Sequence, residues 1–142
     1  MLSRLTSALL FEGDARTAFR DPAATFHAGW FYLYFTLVKV EDDSVTYSYV
    51  AWSKSRDLRH WSVPKIITPR DKKLDFGSPG DVVRVNERWV LCLQTYPRPH
   101  GEKYGNSDSR IWKMRSKDLE HWGVPELLAG KAQQSLKRRW EE

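Results

Sequence analysis

Short apolar and aromatic runs, separated by turn-forming residues, dominate the hydrophobic pattern of the chain. The clearest run covers residues 30–37, and the run at residues 45–53 alternates apolar with polar positions. Runs of this length, rich in β-branched and aromatic residues, are typical of β-strands. The pattern predicts two sets of four strands, at residues 23–26, 30–37, 45–53 and 63–68, and then at residues 82–85, 89–96, 110–115 and 126–128.

The predicted strands repeat along the chain with a period of about 60 residues. The segment SRDLRHWSVP at residues 55–64 is echoed by SKDLEHWGVP at residues 116–125, and GWFYLYFT at residues 29–36 matches RWVLCLQT at residues 88–95 in pattern. Four short strands per repeat at this period are typical of a β-propeller blade, a twisted sheet that packs face to face with its neighbours. The sequence therefore predicts an all-β fold of two four-stranded antiparallel blades.

The repeat divides the chain into four parts. Residues 20–69 form the first predicted blade and residues 76–130 the second. Residues 1–19 have no counterpart in the second unit, and their apolar stretch predicts a latch strand that adds to another blade or another chain. Residues 131–142 form a basic tail whose composition suits either a helix or a disordered segment.

The repeated Ser-x-Asp-Leu-x-His-Trp motif is interpreted as structural. Asp57 and Asp118 suit the Asx-type turn between the third and fourth strands of a blade, because their carboxylates can accept backbone N–H bonds. Trp61 and Trp122 suit the apolar layer between blades. A metal site at the two motif histidines would need further ligands that the sequence does not place.

Composition and charge limit the classes of partner. The chain is 41% hydrophobic and 29% charged, as in globular proteins, and its seven tryptophans suit either a β-rich core or a sugar-binding surface. Its longest apolar run is far shorter than the roughly 20 residues of a membrane helix, and the N-terminus lacks a signal-peptide pattern. We therefore predict a cytoplasmic protein with no membrane partner.

Neither the basic balance nor the single cysteine adds a function. Much of the formal charge of +5 lies in the C-terminal tail, and no groove of interleaved basic and aromatic residues predicts a nucleic-acid partner. Cys92 lies within an apolar run and is expected to be a small buried hydrophobe.

Three segments carry a resemblance to a known family. FRDP at residues 19–22, GWFYL at residues 29–33 and SRDLRHW at residues 55–61 are similar to segments of the five-bladed β-propeller glycoside hydrolases of families 43 and 32, which act on arabinosides, xylosides and fructosides. The resemblance implies a carbohydrate partner and a carboxylate, Asp21, that faces the central funnel from the innermost strand. Glycoside hydrolysis needs two carboxylates that flank the scissile bond.

Two registers of the resemblance assign different roles. In the family 43 register, Asp21 is the catalytic base and Asp81 a second inner carboxylate. In the family 32 register, Asp21 stabilises the transition state, and a general-acid Glu is expected near the position of Gly77. Neither register finds the acid in its place, so catalysis stays open. In both, Arg20 is expected to keep Asp21 ionised, and Arg20, Trp30, Tyr96 and Trp112 are the expected substrate contacts.

The sequence leaves three functions open: a glycoside-hydrolase-like protein that acts on or binds carbohydrate, a non-catalytic lectin-like module, and a truncated inactive fragment. Two blades leave their outer faces bare, so we expect a homo-oligomer that closes the ring. No cofactor or metal site is predicted within one chain. Copies of Asp21 and Asp81 gathered around the ring axis would suit a hard cation such as Ca²⁺.

Overall fold

The chain folds into β-strands in the computed structural model, which describes residues 10–101 and 108–130. The described residues contain no helix, and therefore none that is long and apolar enough to cross a membrane. The strands form two antiparallel sheets, which confirms the all-β prediction. In chain order they are β1 (Thr17–His27), β2 (Trp30–Val40), β3 (Thr46–Ser55), β4 (Lys65–Ile66), β5 (Phe76–Gly77), β6 (Val82–Val85), β7 (Arg88–Thr95), β8 (Arg110–Ser116) and β9 (Glu126–Gly130).

The first sheet is a meander in the order β1-β2-β3-β4. Strand β1 begins six residues before the predicted strand, because it pairs along the whole of β2 as far as the contact between Thr17 and Lys39. Ala28 and Gly29 both have positive φ, as a tight hairpin turn between β1 and β2 requires. The closing strand is only Lys65–Ile66, shorter than the predicted 63–68.

The second sheet has an interrupted inner strand. Strands β5 and β6 both pair with β7 on the edge opposite β8, and β9 closes the sheet. Strand β6 has the predicted bounds, whereas β5 was not predicted because two residues are too few to show an alternating pattern. The two pieces together occupy the place that β1 holds in the first sheet.

The two sheets pack face to face through a shared apolar core. Tyr34 and Trp52 of the first sheet meet Leu91, Leu93 and Met114 of the second, and all five side chains are buried. Their burial contributes on the order of 2 kcal/mol for each aliphatic side chain. The sheets are therefore one packed unit.

Polar contacts from the second motif turn reinforce this boundary. The Tyr34 hydroxyl donates to the carbonyl of Leu119 at 2.7 Å. Glu120 accepts from the Tyr32 hydroxyl at 3.2 Å and pairs with Lys54 at 2.5 Å. Burial, helped by the charge of Glu120, raises the pKa of Tyr32 to about 12, so its hydroxyl stays a donor at neutral pH.

Both copies of the motif form the same turn. The Asp57 carboxylate accepts the N–H groups of Arg59 and His60 at 2.9 Å and contacts the His60 ring at 2.7 Å. The backbone and ring bonds from His60 hold the pKa of Asp57 well below its usual range. Asp118 makes equivalent bonds in the second sheet. The structure thus gives these aspartates a turn-stabilising role.

The two outer faces of the pair differ. Phe11 covers the outer face of the first sheet, where its ring contacts Phe19, Phe35 and Trp61; residues 1–9 of the predicted latch strand and the whole tail 131–142 lie outside the described residues. The outer face of the second sheet is open. Cys92 lies there and is half-buried, not buried as expected, because it alternates with Leu91 and Leu93, which point into the core.

Candidate functional site

The inner strands of both sheets break at equivalent positions. In the first sheet the register shifts between Arg20 and Ala23, and in the second four residues separate β5 from β6. The first residue of each break has positive φ and precedes a proline: Asp21 has φ 55° and Ser78 has φ 45°. Such a conformation is costly for residues other than glycine, and Asp is among the few that tolerate it.

Asp21 is held from both sheets at once. Its Oδ2 atom accepts the Thr36 hydroxyl at 2.9 Å and the Ser78 hydroxyl at 3.3 Å. Thr36 is fully buried, and its oxygen also accepts the N–H of Ser78 at 2.7 Å. Arg20 lies 3.6 Å from the same carboxylate oxygen. All these contacts involve Oδ2, and among the described residues none involves Oδ1.

Gly77 explains why no acidic residue stands at its position. It is buried beside Thr36, and a Cβ atom there would lie 3.2 Å from the Thr36 methyl carbon and 3.3 Å from its hydroxyl oxygen. A glutamate at this position would require Thr36, the threonine that holds Asp21, to shift by a few tenths of an ångström. The packing against the Thr36 side chain therefore disfavours the general acid of the family 32 register.

A polar cleft opens beside Asp21 between the two sheets. Its volume is about 270 Å³, and Arg20, Lys72 and Arg98 bring three positive charges to it. Asp75, also in its lining, is buried: one oxygen accepts the Ser48 N–H at 3.0 Å, and the other pairs with Lys72 at 3.1 Å. The Lys72 ammonium also donates to the Thr46 carbonyl at 2.7 Å.

The structure gathers some of the predicted site residues and separates others. Arg20 and Tyr96 line this cleft, and Asp21 lies beside it in contact with Arg20 and Ser78. The Tyr96 hydroxyl donates to Gln94. Asp81 is exposed, and the residue that meets Asp21 across the boundary is Ser78, three positions earlier. Asp81, which the family 43 register expects as a second inner carboxylate, is therefore not the residue that contacts Asp21.

Trp30 does not flank Asp21, contrary to expectation. It lies six residues before Thr36 on β2, which separates the two by roughly 20 Å along an extended strand. Its ring instead contacts two cations, Lys54 and Arg56, which lie 4.6 and 4.4 Å from the ring centroid. With them it lines a separate hollow beside the first motif turn.

Trp112 lies in the second sheet beside a different hollow. Its indole N–H donates to Thr95 at 3.1 Å, and its ring packs edge-on against Phe76. The hollow that it lines is larger, about 540 Å³, and mostly apolar. Trp112 therefore serves the core of its sheet and is not part of the Asp21 cleft.

Sequence reasoning missed Thr36, Ser78, Lys72 and Arg98. Thr36 is a polar residue inside an otherwise apolar strand, and this is the signal that could have marked it. Ser78 precedes a proline as Asp21 does, so an alignment of the two Pro-containing breaks would have paired them. Lys72 and Arg98 lie in connecting segments and carry no such signal.

No metal centre accompanies the site in the part of the chain that the structure describes. No group of three or more His, Cys, Asp or Glu side chains there is arranged to hold a metal ion. The Ca²⁺ site expected at an axis shared by several chains stays a prediction.

Solved structures with the same arrangement of strands identify the architecture. The chain superposes on a Penicillium chrysogenum α-L-arabinanase complexed with arabinobiose with a TM-score of 0.62 and 16% identity over 86% of the chain. A GH43 endo-arabinanase from Bacillus licheniformis gives 0.59 and 19% over 87%. Both belong to the β-propeller glycoside hydrolases. The chain has the fold of two β-propeller blades.

The likeness extends to a further glycoside hydrolase but covers only part of each relative. The blades also match the sucrose-6-phosphate hydrolase of Lactobacillus gasseri, with a TM-score of 0.55 and 18% identity over 70% of the chain. The chain spans 33%, 41% and 20% of the three relatives in turn. No family model matches the sequence, and no curated protein matches it. The predicted resemblance is thus confirmed for the fold.

Proposed function

We propose that this chain is a glycoside-hydrolase-like propeller unit that binds carbohydrate of the arabinoside, xyloside or fructoside type at the boundary between its two blades. The observation that carries the proposal is the fixed carboxylate of Asp21. Its Oδ2 is held by Thr36 from its own blade and by Ser78 from the next, beside an open polar cleft.

The chemistry of the carboxylate suits sugar hydroxyls. A carboxylate is a strong acceptor with several lone pairs, and the contacts on Oδ2 leave Oδ1 available to a ligand. The side chain of Asp21 is 41% exposed, so a sugar can reach it. Tyr96 lines the same cleft and offers an aromatic ring against which a sugar can pack.

Of binding and hydrolysis, the geometry favours binding. Asp75 is the carboxylate in the cleft lining, and the Ser48 N–H and Lys72 already engage both of its oxygens. It is therefore poorly suited to donate a proton to a leaving group. Hydrolysis would need a second carboxylate from outside the cleft lining, and the lack of such a proton donor costs roughly 10²–10⁴ in rate.

The known relatives support the carbohydrate class. The structures with the same fold include arabinanases and a sucrose-6-phosphate hydrolase, and one of the arabinanases holds arabinobiose. Their low identity to this chain leaves the sugar to be chosen by experiment.

The test compares Asp21→Asn with the native chain. We expect calorimetry to show binding of arabinobiose, xylobiose or sucrose, weakened about tenfold or more in the variant, because a hydrogen bond to a charged group contributes about 1.5–3 kcal/mol. Asp42→Asn, a change at an exposed residue of the β2–β3 turn, is the control and should bind as the native chain does. Native-like binding by Asp21→Asn would overturn the proposal.

The same proteins decide whether catalysis accompanies binding. Aryl arabinofuranoside, xyloside and fructoside substrates release a chromophore on hydrolysis. We expect sugar binding without turnover by this chain alone. Turnover that disappears in Asp21→Asn would instead establish the hydrolase.

A further inference from the structure

The cleft beside Asp21 carries an unbalanced positive charge. Arg20, Lys72 and Arg98 contribute three cations to its lining, against two carboxylates, Asp75 in the lining and Asp21 beside it, which pairs with Arg20. The Asp75 carboxylate is already bound by Lys72 and by a backbone N–H. Cations brought together in a concave site raise the local potential and favour a bound anion.

The donors of the cleft remain able to bind a ligand. An ammonium has three N–H donors, and Lys72 uses one on Thr46 and one on Asp75. Arg20 and Arg98 are exposed, and a guanidinium offers five donors in a fork that matches carboxylate or phosphate. Ser78 adds a hydroxyl at the side of the cleft where Asp21 lies.

We propose that the ligand of this site is an acidic saccharide, whose carboxylate or phosphate group lies among Arg20, Lys72 and Arg98 while a hydroxyl of its ring reaches Asp21. This inference rests on the proposed function, and it further specifies that the bound carbohydrate carries a negative charge. The arrangement separates two tasks, because the anionic group contacts the cations and the neutral ring contacts the carboxylate.

The size of the cleft limits the ligand. Its volume of about 270 Å³ lies just below the roughly 300–1,000 Å³ of most small-molecule sites. One sugar unit with its charged substituent fills such a space. A longer saccharide would extend from it into solvent or onto a neighbouring blade.

Matched pairs of sugars test the charge preference. Glucuronate and xylose share a pyranose ring and differ by a carboxylate, and fructose 6-phosphate and fructose differ by a phosphate. Calorimetry or NMR titration on the full chain should show the charged member of at least one pair binding about tenfold more tightly at low salt. That preference should fall as the ionic strength rises, since exposed charges are screened.

The cleft cations are then removed in turn. In Arg98→Gln the ratio of charged to neutral affinity should fall severalfold, and in Arg20→Gln/Arg98→Gln it should approach one. Arg88→Gln is the matched control. Arg88 is the first residue of β7, whereas the cleft lies beyond Thr95, the last residue of that strand and seven positions further along. The control should keep the native ratio. An unchanged ratio in the double variant would overturn the assignment.

The outcomes separate this inference from the proposed function. Equal binding of charged and neutral sugars would overturn the charge preference and leave carbohydrate binding in place. Binding of inorganic phosphate, without binding of any of the four sugars, would overturn both, since the cleft would then be an anion site unrelated to carbohydrate.

Discussion

At the scale of single residues, the position of Asp21 depends on a threonine in the middle of an apolar strand. Thr36 is fully buried, donates to Asp21 and accepts from the backbone of Ser78. One hydroxyl therefore links the carboxylate on one blade to the backbone of the next. A side chain with the same shape but no hydroxyl would break both bonds.

Thr36→Val tests this link. The substitution leaves the Ser78 N–H without its partner and frees the carboxylate, so we expect a loss of about 1–3 kcal/mol in unfolding free energy and weaker sugar binding. Urea unfolding and calorimetry measure the two effects. Thr25→Val, on β1 of the same blade, is the control and should change both much less. Equal losses in the two variants would refute a specific role for Thr36.

The residue scale also shows the limit of prediction from sequence. Asp21 and Arg20 could be singled out because the local FRDP segment resembles a known pattern. Asp81 was expected beside Asp21 because the family 43 register implies a second inner carboxylate, whereas the backbone pairs Asp21 with Ser78 through shared positive φ and a following proline. Trp30 was expected near Asp21 only because it is aromatic. It lies at the far end of β2, so the length of that strand separates it from the site.

At the scale of elements, the two copies of the motif turn have the same hydrogen bonds but different surroundings. The turn of the second blade lies against the first blade, where Leu119 is completely buried and its carbonyl binds Tyr34. The turn of the first blade faces outward, and its equivalent residue, Leu58, is only half-buried. The same sequence pattern therefore contributes differently to stability in its two copies.

Leu119→Ala and Leu58→Ala measure that difference. Both leucines have positive φ, 69° and 62°, so the backbone strain is matched between the two variants. We expect Leu119→Ala to lower the free energy of unfolding by about 2–5 kcal/mol, as for a buried core leucine, and Leu58→Ala by clearly less. Denaturant titrations compare them. Similar losses would mean that the contact between blades contributes little.

The long strands could be predicted from the sequence because each is marked by its own pattern of apolar residues. The strands β2, β3, β7 and β8 have long stretches of apolar and alternating residues, and the pattern found each of them. Their ends, and the two-residue strands β4 and β5, depend on pairing with a neighbouring strand, which no local pattern records. The repeat itself allowed the blade architecture to be predicted.

At the scale of the whole molecule, the outer face of one blade is covered and that of the other is exposed. An aromatic cluster around Phe11 covers the first blade. On the outer face of the second blade, Val83, Val85 and Ile111 are between 44% and 49% exposed; the two valines lie on β6 and the isoleucine on β8, on either side of β7. An apolar face of this kind is typical of a surface that another blade covers.

Ile111→Arg tests the expected association. If a second copy covers the open face, sedimentation or light scattering of the native chain should show an oligomer at micromolar concentration, and a charge in that face should dissociate it. Val124→Arg is the control, because Val124 is 80% exposed in a turn and its replacement should leave the oligomer intact. A native chain that stays monomeric would contradict the prediction of a homo-oligomer.

The interrupted inner strand has a consequence for how such a molecule diversifies. Each repeat presents one side chain from the same kinked, proline-locked position, an acid in the first copy and a hydroxyl in the second. The kink is already built into the backbone of each repeat. Exchanging that one residue therefore alters the chemistry at the boundary between the blades without changing the surrounding sheet. A change of one residue is thus enough to give two blades of similar build different chemistry on the two sides of their boundary.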